Sequence, residues 1–248
     1  MQFDEKWDFV SKKEKNCAPN ESQQGDCWDH VALDPESRLV VSLVVGKRTE
    51  DATHELVGDF HRRTGGRVMR LMTSDEYPVY ATAIRETYGQ KVTPPRTGRP
   101  GRPRKAYTVV PPEVTYATVH KERENNRVVN VSTRVVFGTL AAVALALLAS
   151  AVSAAVNTGF VERHNGTDRN RCSRKVRKSY AFSKDWQTHR AATAFSYFSY
   201  NFCWPVETLR QKDGDGRWQR RTPAMAAGLT DHVWSLAEWL VFPAVQRK

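Results

Sequence analysis

The segment Phe3-Asp4-Glu5-Lys6-Trp7-Asp8-Phe9-Val10 alternates apolar and polar residues, and this period of two is typical of a β-strand. One face of the strand carries the aromatic residues together with Glu5. The opposite face carries Asp4, Lys6 and Asp8. The first predicted strand therefore projects a carboxylate, Asp4, close to its beginning.

Two further strands are predicted at Cys27–Leu33 and Arg38–Val45. The residues between them, Asp34-Pro35-Glu36-Ser37, place proline at the second position of a tight turn. The three strands together predict an antiparallel meander.

A helix is predicted next, because apolar residues recur at fourfold spacing after Thr49 and stop at a glycine pair: Ala52, Leu56, Phe60, then Gly65-Gly66. Arg67 to Thr73 predicts a fourth strand with Asp75 at its carboxyl end, and a second helix follows with Tyr80, Ile84 and Tyr88. Ligand and metal sites in α/β sheets favour the carboxyl ends of strands. Asp75 is therefore a second candidate site residue.

A third carboxylate, Glu162, lies in a segment with helical character. Seven residues at about 100° each bring Arg169 nearly over Glu162, with Asn165 between them. If the Glu162 carboxylate holds a metal ion, the amide and the cation behind it are placed to meet a DNA phosphate. Basic residues flank it at a density suited to phosphate neutralisation: Arg163, Arg171, Arg174, Lys175, Arg177 and Lys178. The alternative is a solvated basic helix with Glu162 in an ordinary intrahelical ion pair.

The order β-β-β-α-β-α, with acids on the first strand, after the fourth and on a later helix, is the layout of ribonuclease-H-like nucleases. The chain also resembles the DDE transposases of bacterial and archaeal insertion sequences, most closely the insertion-sequence-one family. The resemblance spans residues 3 to about 204 and is carried by Asp4-Glu5-Lys6-Trp7, Val45-Gly46-Lys47-Arg48-Thr49, Thr73-Ser74-Asp75-Glu76-Tyr77-Pro78-Val79-Tyr80, Val161-Glu162-Arg163-His164-Asn165, Arg169 and Ser179-Tyr180-Ala181-Phe182-Ser183-Lys184. We therefore expect an α/β fold, a ribonuclease-H-like mixed sheet with flanking helices, an inserted linker and a β-hairpin.

The resemblance implies that Asp4, Asp75 and Glu162 bind two Mg²⁺ or Mn²⁺ ions and cut DNA at element ends before joining it to target DNA. Two divalent ions about 3.5–4 Å apart can activate the nucleophile and stabilise the leaving oxygen, and magnesium prefers oxygen ligands. We expect Asp4 to bridge the ions while the other two acids hold one each. Asp8 and Glu76 are rival ligands by their nearness in sequence.

The composition favours an anionic partner, because 38 basic and 27 acidic residues give a net charge of +11. We expect DNA as the partner and no association with a membrane. We also expect the chain to form a homo-oligomer on DNA and to be cytoplasmic and nucleoid-associated. The four cysteines lack CxxC spacing and are expected to be reduced rather than zinc ligands. His164 invites a catalytic role beside Glu162, although a lone histidine is more often a hydrogen-bonding helper.

Leu140 to Val156 is an uncharged run of 17 residues. A helix of that length spans only about 26 Å, short of the ~30 Å hydrocarbon core of a bilayer. We expect a buried helix capped by Thr139.

The segment from Lys91 to Lys105 is a linker rich in proline, glycine and arginine. Part of it resembles the AT-hook, whose arginines enter narrow minor grooves, and this marks Arg99, Arg102 and Arg104 as candidate DNA contacts. An extended basic linker is the equal alternative. Beyond it, Thr115 to Arg123 and Val128 to Phe137 predict a hairpin, one strand of which supplies the fifth strand of the sheet.

Four expectations concern the carboxyl-terminal part. Ser183 caps a helix whose side is lined by phenylalanines, Phe195, Phe198 and Phe202. Tyr197, Tyr200 and Trp204 are more readily core residues than base-stacking residues. A charged, glycine-broken loop follows at 211–221, and Thr230 caps a short helix bearing Val233, Trp234 and Leu240.

The predicted organisation is a catalytic domain in two parts, 1–90 and 132–205, with an insertion at 91–131 and an extension at 206–248. A zinc-finger and helix-turn-helix region usually precedes the first aspartate in the resembled family. We therefore expect a DNA-reading region on a longer product or a separate chain. Two alternatives stay open: a non-catalytic DNA-binding relic of a mobile element, and a repair or junction nuclease on the same fold.

Overall fold

The computed structural model describes residues 1–95, 104–125, 127–176 and 178–242. Its strands are β1 (Gln2–Val10), β2 (Gly25–Leu33), β3 (Val40–Gly46), β4 (Met72–Asp75), β5 (Gln90–Val92), β6 (Tyr107–Val109), β7 (Tyr116–Glu124), β8 (Arg127–Phe137), β9 (Gln211–Lys212) and β10 (Trp218–Gln219). Its α-helices are α1 (Glu50–Arg63), α2 (Val79–Tyr88), α3 (Leu140–Leu148), α4 (Gly159–Arg171), α5 (Trp186–Cys203), α6 (Pro223–Ala226) and α7 (Leu236–Val241).

The main sheet is mixed and has the strand order β3-β2-β1-β4-β7-β8. β1, β2 and β3 are antiparallel neighbours, β4 runs parallel to both β1 and β7, and β8 is antiparallel to β7. The predicted meander is confirmed, and so is the placement of one hairpin strand, β7, as the fifth strand. This mixed α/β architecture with flanking helices is compatible with a ribonuclease-H-like fold.

One side of the sheet is covered by α1 and α2. Alternate residues of a strand face opposite sides of a sheet, and Phe3 of β1 points to this side. Its ring lies 5.5 Å from the rings of both Phe60 and Tyr80, and all three side chains are fully buried. The predicted start of α1 is confirmed, because the Thr49 hydroxyl accepts a hydrogen bond from the Ala52 N–H at 3.3 Å.

The other side of the sheet is covered by α4 and α5. Val31 and Leu33 of β2 pack there with Val161, Tyr197 and Tyr200. The expectation that the two tyrosines belong to the core is confirmed, whereas Trp204 is 48% exposed. The sheet is thus the middle of three layers.

The fourth strand begins later than predicted. Arg67 to Thr73 was expected to be strand, but β4 starts at Met72 and Asp75 is its last residue. Arg67, Val68 and Arg70 are exposed. A central strand that is buried on both faces excludes such charged residues, so only the segment after Leu71 enters the sheet.

The expectation of a buried helix after Thr139 is wrong. Thr139 does cap α3, accepting from the Ala142 N–H at 3.1 Å, but Leu140, Leu145 and Leu148 are 78%, 67% and 84% exposed. The helix ends at Leu148 after nine residues, and Val143 is its buried residue. Among the residues that the structure describes, no helix is long and apolar enough to cross a membrane.

The capping residue of α5 differs from the prediction. Asp185 caps the helix, accepting from the Thr188 N–H at 2.7 Å, in place of Ser183. The side that faces the sheet is Thr193, Ser196, Tyr197 and Tyr200. The phenylalanines instead contact the carboxyl-terminal segment: Phe195 lies 5.3 Å from Trp239 and Phe202 lies 5.0 Å from Trp234.

The last helix begins later than expected. Ser235 caps α7 through a capping box with Glu238, whereas Thr230 accepts a hydrogen bond from the Trp234 indole at 2.7 Å. A short hairpin, β9 with β10, lies inside the predicted loop at 211–221.

The linker region is only partly described. β5 pairs with β6 across it, while residues 96–103, including Arg99 and Arg102, lie outside the described residues. Residue 131, where we expected the insertion to end, falls inside β8 of the main sheet.

We predict that Phe60→Ala lowers the free energy of unfolding by roughly 3–5 kcal/mol, because it leaves a cavity between α1, α2 and the sheet. Phe195→Ala is the matched control and should cost less than about 1 kcal/mol, because that ring is 40% exposed. Urea unfolding of both variants measures this. Equal losses of unfolding free energy in the two variants would contradict the description of Phe60 as a core residue and of Phe195 as a partly exposed one.

Candidate active site

A cleft opens where β4 stops. β4 ends at Asp75, while its neighbours β1 and β7 each have nine residues and continue past it. β1 pairs with β4 only at Gln2, so its next residues face an open gap opposite β7. The cleft has a volume of about 730 Å³.

The structure brings the three predicted acids to this one cleft. Asp4 comes from β1, Asp75 from β4 and Glu162 from α4, and all three line its wall. Asn165 and Arg169 line it as well, as their shared helix face predicted. Arg169 also donates to the Trp7 carbonyl at 3.3 Å, on the strand edge that β4 leaves open.

Gln2 fixes the start of α4 beside the sheet. Its side-chain oxygen accepts from the N–H groups of Phe160 and Val161, each at 3.0 Å, and its amide nitrogen donates to the Asn157 carbonyl at 2.8 Å. The first N–H groups of a helix lack partners within the helix. Gln2 supplies such partners from β1, and so it positions Glu162 one residue further along.

Asp4 lies at the centre of the negative charge. Burial is the main cause that raises its pKa to about 7, and repulsion from Glu5, Asp75 and Glu162 raises it further. The Asn165 side-chain amide donates to Asp4 at 2.6 Å. The Asn165 side-chain oxygen is buried and accepts no hydrogen bond from the residues described. Asn165 therefore donates to Asp4 while its own side-chain oxygen stays without a donor among these residues.

The other two acids have partners of their own. The Lys121 ammonium of β7 forms an ion pair with Glu162, whose same oxygen accepts from the Thr158 hydroxyl at 2.6 Å. Asp75 accepts from the Tyr77 N–H at 3.2 Å. Lys121 supplies a positive charge at the acid that was expected to hold a metal ion.

A divalent cation fits the chemistry of this cleft but not the present spacing of its acids. The carboxylates offer the hard oxygen donors that Mg²⁺ prefers, and their mutual repulsion shows up in the raised pKa of Asp4. Within the described ranges, however, no group of three or more histidine, cysteine, aspartate or glutamate side chains is close enough to hold a metal ion. The acids would have to move closer, and Lys121 would have to leave Glu162.

The two rival acids differ in position. Asp8 is buried outside the residues that line the cleft, and burial raises its pKa to about 6. Glu76 does line the cleft and pairs with His120 at 2.6 Å.

Several cleft residues escaped the sequence analysis. The Glu5 carboxylate forms an ion pair with Arg48 at 3.0 Å, and the Arg48 guanidinium lies over the rings of Trp28 and Tyr77. The pairing register sets Trp28 directly opposite Trp7. The predicted strands could have indicated that tryptophan pair, but the Arg48 contacts depend on the turn between β3 and α1.

A buried ion cluster joins α4 to the sheet, and we name it the four-ion cluster. Its members are Lys6, Asp29, Asp168 and Lys175, with side chains at most 2% exposed. Lys175 lies 2.7 Å from Asp29 and 3.0 Å from Asp168, and Ser196 donates to Asp168 at 2.7 Å. Burial raises the pKa of Asp29, but the two ammonium groups outweigh it and hold that pKa below its usual range.

The structure corrects the predicted DNA contact at Lys175 and gives Arg171 partners within the protein. Lys175 was expected to meet phosphate, but its ammonium is buried between two carboxylates. Arg171 stacks 4.3 Å from Trp204 and donates to the Ser196 carbonyl. Arg163 and Arg174 are not among the residues lining the cleft, and Arg104 is exposed.

His164 is not placed as a hydrogen-bonding helper. Its ring is buried between Tyr197 and Tyr200, with centroid distances of 5.1 and 4.6 Å. Neither ring nitrogen has a hydrogen-bond partner among the described residues. Burial lowers the pKa of His164 to about 3, so the ring is neutral and acts as a packing residue behind Asn165.

We predict that Asp168→Asn destabilises the protein by roughly 3–5 kcal/mol, because it leaves two buried ammonium groups with a single carboxylate. Glu207→Gln, which breaks the exposed pair with Arg210, is the control and should cost less than about 1 kcal/mol. Chemical denaturation of both variants tests this. A loss below about 1 kcal/mol for Asp168→Asn would contradict the role of the cluster.

We predict that Asp4→Asn stabilises the protein more as the pH rises from about 4 to about 7. The folded protein binds the Asp4 proton more tightly than the unfolded chain does, so ionisation in this range costs folding free energy. The gain should reach up to roughly 4 kcal/mol at pH 8, since each pKa unit is worth about 1.4 kcal/mol. Urea unfolding in EDTA at pH 4 and pH 8 measures it.

Asp215→Asn, in the exposed loop between β9 and β10, is the control and should give the same small change at both pH values. A pH-independent effect of Asp4→Asn would show that folding does not raise the pKa of Asp4.

Comparisons of the chain with protein-family models, with curated proteins and with solved structures gave no match. The site is therefore defined by its own geometry: three acids from three elements, gathered where a short central strand ends.

Proposed function

We propose that this chain is the catalytic part of a DDE-type DNA transposase with a ribonuclease-H-like domain, which cuts DNA at element ends and joins the ends to target DNA. The observation that supports this most is the meeting of Asp4, Asp75 and Glu162 in one cleft. They come from positions distant in sequence, and the cleft lies at the carboxyl end of a parallel strand, where sites of α/β sheets usually lie.

The electrostatics of the cleft support a role for divalent cations. Asp4, Asp75 and Glu162 are the residues that would hold the ions. Bound Mg²⁺ or Mn²⁺ would activate a water or a 3′ hydroxyl and stabilise the leaving oxygen. The chain's own contribution is to hold the acids: Asn165 orients Asp4 and the Tyr77 N–H orients Asp75.

Basic side chains on the cleft walls support DNA as the partner. Lys121 and Arg123 come from β7 and Arg169 comes from α4. We propose that Lys121 releases Glu162 and turns to a DNA phosphate when cations and DNA bind. The net charge of +11 favours the approach of DNA, and a homo-oligomer on DNA in the cytoplasm belongs to the same proposal.

A non-catalytic DNA-binding protein is the second candidate. Two observations favour it. Among the residues described, no group of acidic, histidine or cysteine side chains is close enough to hold a metal ion, and Glu162 is already paired with Lys121. A repair or junction nuclease would share the same cleft but would cut branched DNA without joining ends.

We predict that Asp75→Asn reduces Mg²⁺-dependent cleavage and strand joining at least about a thousandfold while DNA affinity changes less than about threefold. The substitution removes a ligand charge and little surface. A strand-transfer assay on DNA flanking the coding segment, together with a binding titration, measures both. Glu76→Gln is the matched control: it alters the neighbouring acid, which pairs with His120, and should leave cleavage within about threefold.

The pattern of outcomes separates the candidates. Undiminished cleavage by Asp75→Asn would remove that residue from the site. Wild-type protein that binds DNA but neither cuts nor joins it with Mg²⁺ or Mn²⁺ would favour the non-catalytic candidate. Cutting of branched DNA without joining would favour the junction nuclease.

A further inference from the structure

We propose that one wall of the cleft is a binding subsite for an unpaired nucleobase, formed by Trp28, Arg48 and Tyr77. The inference rests on the proposed function and names the part of the DNA that this wall takes. All three side chains line the same cleft as the acids.

The aromatic residues of this wall are partly exposed, although Tyr77 also packs against the buried core, with its ring 6.1 Å from that of Tyr80. Trp28 and Tyr77 are each only partly buried, and so is Trp7, the residue directly opposite Trp28 on β1. Large aromatic side chains contribute most when they are buried in a core. Partly exposed rings beside charged groups instead offer flat surfaces on which another ring can stack.

Arg48 adds a planar cation that is held in place. Its guanidinium lies 5.1 Å from the centroid of Trp28 and 4.3 Å from that of Tyr77. The ion pair with Glu5, at 3.0 Å, fixes it from behind, because the Glu5 side chain is only 1% exposed. Guanidinium planes and aromatic rings are the two groups on which unpaired bases stack in protein complexes.

The position of the wall relative to the acids supports a nucleotide rather than an unrelated ring. Tyr77 follows Asp75 by two residues, and its N–H donates to the Asp75 carboxylate at 3.2 Å. The opposite wall supplies Lys121 and Arg123. A DNA strand with its phosphate at the acids and basic residues would bring a neighbouring base to the aromatic wall.

The base must be unpaired to use this wall. In an intact duplex both faces of each base are covered by its neighbours, whereas a single-stranded, frayed or turned-out base presents a free face. We therefore infer that the cleft prefers single-stranded DNA over intact duplex.

The test compares binding of the full chain to a fluorescently labelled single-stranded oligodeoxynucleotide and to the blunt duplex of the same sequence, by anisotropy in EDTA. Wild-type protein should bind the single strand more tightly. Trp28→Ala should weaken single-strand binding by roughly 5- to 150-fold, the range expected for losing one stacked base. Duplex affinity should change less than about twofold.

Two further variants control for folding and for nonspecific loss. Trp28→Phe keeps an aromatic face and should retain most of the single-strand affinity, while Arg48→Lys keeps the charge but loses the plane and should lower it. Trp218→Ala is the matched control, because Trp218 is 56% exposed and stacked with Arg210 at 4.5 Å but lies outside the cleft lining. Its affinities should equal those of the wild type.

The failures of the two proposals differ in this experiment. Equal binding of both probes, or loss by Trp218→Ala as large as by Trp28→Ala, would overturn the base subsite and leave the transposase proposal standing. No binding of either probe would overturn both. Binding of free deoxynucleoside monophosphate without binding of the oligonucleotide would assign the wall to a free nucleotide and overturn the DNA subsite.

Discussion

The four-ion cluster is the interaction on which the rest of the structure depends. It ties Lys6 of β1 and Asp29 of β2 to Asp168 of α4 and to Lys175 just beyond that helix. Every charge in it is paired, which is what burial of charge requires. Since α4 also carries Glu162 and Asn165, the same contacts that stabilise the packing set the height of these residues above the sheet.

The length of β4 has an equally direct effect on the site. A longer β4 would pair with β1 beyond Gln2 and would close the gap that forms the cleft. Its four residues are limited on one side by the exposed, charged segment before Met72 and on the other by a turn in which the Tyr77 N–H donates to the Asp75 carboxylate at 3.2 Å. The chain then enters α2 after Pro78.

The cleft keeps its acids in a state of high electrostatic energy. Asp4 is crowded by three other carboxylates, and Lys121 and Arg48 each neutralise one acid at the edge of the group. Such an arrangement is costly for folding, because like charges held close together in a partly buried site repel one another. Perturbed ionisation in a cleft is typical of functional sites, although structural ion pairs also produce it.

The sequence by itself determined the meander, the start of α1, the hairpin and the helix face that bears Glu162, Asn165 and Arg169, because these follow from local periodicity and capping. It did not determine the exposure of α3 or the burial of Lys175. Both depend on partners distant in the chain: the Lys175 ammonium is buried because it lies between Asp29 and Asp168. The spacing of the acids was likewise decided by tertiary structure, because Lys121 reaches Glu162 only through the pairing of β7 with β4.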